Sequence, residues 1–297
     1  MKHLVINPAL PFRNNMHRIL LFYNHQAIHH LEGNARVHHH IHEARLSFKR
    51  IRSMLRLGRQ GLGEQVFRDL NTRYRDLARS LSLARDLTAM TEALEPLIRT
   101  RRDPANRDLL LEIRKSWQVQ RNKLMAGEHI DAARKQALSE LHRLNREIEQ
   151  AHLITKQDLA PDTGFEVYIR GMKKVFKRGK SLFADCKANP DDHNLHEWRK
   201  QVKYMWYHSV LLNPVWPGMM KAWAKEWQAL SVVLGQHHDL VMVKNGLRAP
   251  GKWSGKKREI AAISRSIRRN KERLASQALK MGERLFGAGM IHPTKIN

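Results

Sequence analysis

Acidic residues are scarce in this 297-residue chain: 28 Asp+Glu stand against 54 Lys+Arg, a formal net charge of +26 before 18 histidines are counted. Such an imbalance costs the compact state self-repulsion and points to a polyanionic partner: nucleic acid, polyphosphate or an anionic membrane surface. Cysteine is all but missing. Cys186 stands alone, which excludes an intramolecular disulfide and a Cys-rich zinc site and suggests a reducing compartment. No run approaches the roughly 20 apolar residues of a membrane span. The short apolar patch Leu4, Val5, Ile6 is broken by Pro8 and Pro11 and carries no cleavage pattern, so a cytoplasmic protein is expected. Convincing β-type alternation is also missing.

Hydrophobic residues still make up 42% of the chain, enough for a core in one large or two medium domains. Their period is helical throughout. Apolar residues predict helices over about 14–31, 35–57 (stopped by Gly58), 66–81 and from 84–86 to before Pro96, another after Pro104, and a long one over about 130–154. The stretch Leu159–Gly164 is rich in turn formers and reads as a boundary. Beyond it come helices over about 163–187 and 194–212, then a Trp-rich helix after Pro214 and Pro217. A join is expected at Gly235 to Asp239, and a basic helix over about 256–286. The fold class expected is all-α: two antiparallel helical bundles from an internal duplication. The expected layout is an N-terminal extension over 1–13, a single domain over 14–286 made of two repeats (about 14–160 and 161–286), and a flexible tail over 287–297.

The duplication rests on a polar signature. His42, Arg45 and Lys49 recur as His196, Arg199 and Lys203, each at the same offset (196 − 42 = 199 − 45 = 203 − 49 = 154). At about 100° per residue, Val37, Ile41, Ala44, Phe48, Ile51 and Leu55 share one face of the first motif helix. His42, Arg45, Lys49, Arg52 and Arg56 form a stripe beside that face, not opposite it. A solvated charge run lies across from the core, whereas a bordering stripe points along a groove or into a helix junction. On the second motif helix Leu195, Trp198, Val202 and Met205 form the apolar face, with His196, Arg199, Lys200 and Lys203 at its edge. Trp206 and Val210 replace the counterparts of Arg52 and Arg56, so the first copy carries more charge. Arginine grips two phosphate oxygens at once and lysine tolerates variable geometry, a combination suited to a flexible chain of phosphates. Histidine facing the ligand would tighten binding below about pH 6.5.

The first unit, HEARLSFKRIRSMLRL from His42 to Leu57 with Arg85-Asp86 after it, resembles the conserved histidine α-helical domain, CHAD. So does the second, HEWRKQVKYMWY from His196 to Tyr207 with Gly235 and Asp239 after it; the downstream intervals agree (86 − 42 = 44, 239 − 196 = 43). The resemblance covers roughly Met16 to Phe286. It implies a duplicated, pseudo-two-fold symmetric helical bundle with a basic central groove or pore that binds inorganic polyphosphate, at polyphosphate granules or with enzymes of phosphate metabolism. The ligands it implies are His42, Arg45, Lys49, Arg50, Arg52 and Arg56 in one half and His196, Arg199, Lys200 and Lys203 in the other. Asp86 and Asp239 read as helix-start or salt-bridge residues, because a carboxylate repels phosphate. Tyr204, Trp206 and His238 depart from the family's basic or small polar pattern.

Other signals are weaker. His38 and His42 at i, i+4 could hold zinc or nickel, but no third ligand shows motif spacing, and His237-His238-Asp239 has the same defect. No metal or cofactor is therefore expected. A P-loop is missing, since Gly255-Lys256 is followed by Lys257, and so is the Glu-x-Glu-x-Lys strand of a triphosphate tunnel enzyme. Without clustered carboxylates to hold magnesium, phosphoryl transfer has no visible machinery, and an enzyme is not expected. Lys252 to Arg273 carries nine Lys/Arg against two Glu and would suit nucleic acid or an anionic surface. The alternative function is thus a nucleic-acid-associated basic helical protein; Trp198, Trp206, Trp216, Trp223 and Trp227 are core residues by spacing rather than base-stacking ones.

Overall fold

The structure, a computed structural model, describes residues 4–33, 37–100, 103–150, 164–248 and 253–287. Among them the fold is all-α, with no strand. The helices are α1 (Phe12–Glu32), α2 (Val37–Leu57), the single turn α3 (Arg59–Leu62), α4 (Glu64–Ser80), α5 (Leu83–Arg99), α6 (Pro104–Met125), α7 (Glu128–Glu149), α8 (Glu166–Ala188), α9 (Asp192–Leu211), α10 (Pro217–Leu247) and α11 (Lys257–Phe286). The helix bounds recur at the offset seen in the sequence. Moving the start of α1 by 154 gives 12 + 154 = 166, where α8 begins, and moving the end of α2 gives 57 + 154 = 211, where α9 ends.

Two starts follow from local chemistry. Asp103 caps α6, its side chain accepting from the Asn106 amide at 3.1 Å with Pro104 in the first turn, and Asp191 caps α9 by accepting from the Asn194 amide at 2.7 Å. After Gly58 the chain tightens into α3 and then reverses at Gly63, whose φ of 74° a side chain would disfavour.

Two expectations are corrected. α5 does not fade before Pro96 but runs through it to Arg99. Buried Leu94, Leu97 and Ile98 hold the last turn, and Thr100 closes it with its amide (3.2 Å) and hydroxyl (2.8 Å) on the Pro96 carbonyl. The join expected at Gly235 to Asp239 does not exist, because α10 continues unbroken from Pro217 to Leu247. A helical glycine costs about 1 kcal/mol; burial of Leu234, His237, Leu240, Val243 and Leu247 around it outweighs that cost. The expected boundary over 159–163, residues 151–154 of the long helix, and the tail from 288 lie outside the described residues.

α1, α2, α4 and α7 pack in a ring, and α8, α9, α10 and α11 in another. α5 and α6 pair with each other and dock on α10 and α11, while α2 crosses α8 and α9, so one continuous core serves both rings. Segment 4–11 also joins them: Ile6 is buried, and its amide donates to the Leu211 carbonyl at 2.9 Å. Phe12 stacks on Tyr168 at 5.2 Å between ring centres. Trp198, Trp223 and Trp227 are core, but Trp216 is 51% exposed at the entry to α10. Cys186 is buried, which pushes its thiol up to about 12 and leaves it unreactive.

Candidate anion-binding site

On α2 the residues Ile41, Ala44, Phe48, Ile51 and Leu55 are buried, and His42, Arg45, Lys49, Arg52 and Arg56 are all half-buried beside them. The stripe meets α4. An Arg45 Nη donates to the carbonyl of Ala78 in the last turn of α4, the end where a helix favours a cation. Arg52 Nε donates to Asn71 Oδ1 at 3.1 Å. Burial first, and then the neighbouring cations Arg56, Arg75 and Arg79 against the pull of Tyr204, lower the pKa of Arg52. Three further guanidinium groups from α2 and α4 thus act on Arg52, and Asp76 of α4 pairs with two of them, Arg75 at 2.9 Å and Arg79 at 3.9 Å.

Arg56 spans the two rings. Its guanidinium lies 4.6 Å from the ring centre of Tyr204 on α9 and 5.7 Å from that of Phe67 on α4. Tyr204 occupies a position where the resemblance implied a basic or small polar residue, and it presents a π face to the cation of the other half. Arg50 stands apart from the stripe, over Tyr23 of α1 at 5.6 Å. Arg50 and Arg199 both act on the buried Tyr207, whose hydroxyl burial pushes up to about 12.

On α9 the basic residues split. Arg199 sinks towards α10; burial lowers its pKa against the opposing charge of Asp239, and Gly235 leaves room beside the guanidinium. His196 packs against His238, ring centres 4.6 Å apart and planes tilted by 36°. Burial first and then Lys200 and Arg199 hold the His196 imidazole below its usual range, while burial and Arg199 bring His238 to about 4. Any gain in anion binding from His196 therefore sets in below the expected pH 6.5. Lys200 is exposed and pairs with Glu197 at 2.5 Å, whereas Lys203 is half-buried. Asp86 lies in the first turn of α5, as a helix-start residue should, whereas Asp239 sits inside α10 and acts on Arg199.

Buried donors are left over here. Arg56 Nε, Arg199 Nε and the ring nitrogen Nδ1 of His196 meet no acceptor among the described residues, at a cost that an oxyanion would offset. His38 and His39 are exposed, and no group of three or more His, Cys, Asp or Glu that could hold a metal ion occurs among the described residues.

The CHAD domain family matches residues 22–248 of the 297. The chain belongs to the CHAD domain family. The crystal structure of the CHAD domain from the plant Ricinus communis is similar over 97% of this chain and 96% of that one, with a TM-score of 0.56 and 15% identity, a likeness of fold alone. No curated protein matches the chain by sequence. α11 lies beyond the family match, yet it closes the second ring of this CHAD fold against α8 and α10.

Sequence reasoning missed the contribution of α4 to the candidate site. Arg68, Asn71, Arg75 and Arg79 recur at i, i+3, i+7 and i+11, one face of a helix, and that signal was readable. What could not be read was that this face meets the α2 stripe.

Proposed function

We propose that the protein binds inorganic polyphosphate without turning it over, through the basic surface that α2 builds with α4 and extends to α9 across a duplicated framework. One observation carries the reading: half-buried Arg52 is held within reach of the cations Arg56, Arg75 and Arg79, although burial and their like charge both weigh against its own. A polyanion offsets both costs, and arginine forks suit its oxygens. His42, Arg45, Lys49, Arg52 and Arg56 contribute from α2, Arg75 and Arg79 from α4, and His196, Arg199 and Lys203 from α9. Arg50 and Lys200 take outlying places. Binding of this kind would hold the protein at polyphosphate granules in the cytoplasm or beside enzymes of phosphate metabolism.

Competition tests the reading. Protein loaded with long-chain polyphosphate is challenged with duplex DNA or RNA at equal phosphate concentration. Retention of polyphosphate is expected, and displacement at parity overturns the proposal. Neutralising Arg45 and Arg52 together should weaken polyphosphate binding more than neutralising Arg199 and Lys203, since the first pair belongs to the denser cluster. Phosphate release with magnesium or another divalent ion would overturn the non-catalytic part.

A further inference from the structure

α11 carries a second basic row that the α2 site does not use. Arg258, Arg265, Arg269, Arg273 and Lys280 are exposed, and none makes an ion pair with a described residue. At about 100° per residue they fall within an arc of about 80°, and at 1.5 Å per residue they span about 33 Å of an uninterrupted helix. The two acidic residues on the same side are already engaged: Glu283 with Lys187 of α8 at 3.0 Å, and Glu272 with Arg268 at 3.9 Å. The contrast with α2 is chemical. There the guanidinium groups are half-buried and hydrogen-bonded within the fold; here they stand in solvent.

We propose that this outer face of α11 binds the phosphate backbone of duplex nucleic acid, independently of sequence. Three features select that partner. The row is about as long as one duplex turn of 34–36 Å. Four of its five members are arginine, which favours paired contacts to phosphate oxygens. No large exposed apolar residue lies on α11, so the anchors of a membrane-surface helix are missing. α8 and α10 pack between α11 and the other helices of the second ring, and the α2 stripe is directed towards α4. Duplex and polyphosphate therefore occupy separate faces.

The test uses the full chain, a labelled 20-base-pair duplex and fluorescence anisotropy across a salt series, the duplex length giving about two turns. The triple variant Arg258→Gln, Arg265→Gln, Arg269→Gln should weaken duplex binding at least about 30-fold at 0.1 M salt and flatten the slope of log K against log salt by about 2.7 (3 × 0.9). Its polyphosphate affinity should stay unchanged. The matching triple lysine variant should retain most duplex binding, which separates charge from folding. Unchanged duplex affinity in the glutamine variant overturns the proposal. So does a parallel loss of polyphosphate binding, or binding of phosphatidylserine vesicles through these arginines without binding of the duplex.

Discussion

Arg56 and Tyr204 exchange a cation and a π face across the two rings, 4.6 Å apart. Such a pair is worth about 0.5–2 kcal/mol according to its burial. Tyr204→Leu should lower stability by about 1 kcal/mol in urea denaturation, whereas Tyr204→Phe should stay close to the parent. Tyr204→Lys supplies a basic residue, one of the kinds in the family pattern, but it sets that charge beside Arg52 and Arg56. It should be the least stable of the three. The buried histidines add a pH dependence. Burial, with nearby cations, holds His237 and His238 at about 4 and His208, bonded to the Ser53 carbonyl at 3.0 Å, at about 3. Unfolded histidine takes its proton near 6.5. Between about 6.5 and 4 the unfolded chain binds more protons, so stability is fully present above 6.5 and falls as pH falls through that window. Urea midpoints at pH 7.5, 5.5 and 4.5 should decline in order, and His238→Gln should flatten the decline.

At the scale of the helix, α8 can cross α2 closely because residue 171 lacks a side chain. A Cβ on Gly171 would overlap the backbone carbonyl of Leu57, which cannot move away as a flexible side chain could. Gly171→Ala should cost about 3 kcal/mol, the upper range of overpacking. Gly218→Ala, in the first turn of α10 with nothing within 4 Å, should be neutral or slightly stabilising by the same denaturation measurement. Pro96 and Gly235 show why local signals misjudged two elements. Each disfavours helix by itself, but buried residues on either side keep the segment helical, and that burial depends on helices far away in sequence. The stripe on α2 was legible for the opposite reason: its period is a property of one helix. Arg50, which lies off that stripe, turns to Tyr23 of α1, a contact that no spacing within α2 could announce.

The whole molecule shares one core, and ties such as Ile6 to Leu211 and Ser53 to His208 join its two rings. It should unfold in one cooperative transition, with calorimetric and van't Hoff enthalpies in agreement. Two separated transitions would show that the rings fold independently. A net charge of +26 also makes self-repulsion a global term. Added salt should raise the melting temperature by screening, and polyphosphate should raise it further at equal ionic strength by binding the folded state.

The sequence by itself determined the helical class, the 154-residue recurrence, the excess of positive charge and the stripe of cations on α2. Each of these is carried by residue type and by periodicity along one chain segment. Only the tertiary structure decided which cations share a site. Helical period sets the direction of a side chain about its own axis but not which neighbour meets it there. So Arg75 and Arg79 of α4 joined Arg52, Tyr204 became a platform for Arg56, and Arg50 and Lys200 were turned aside.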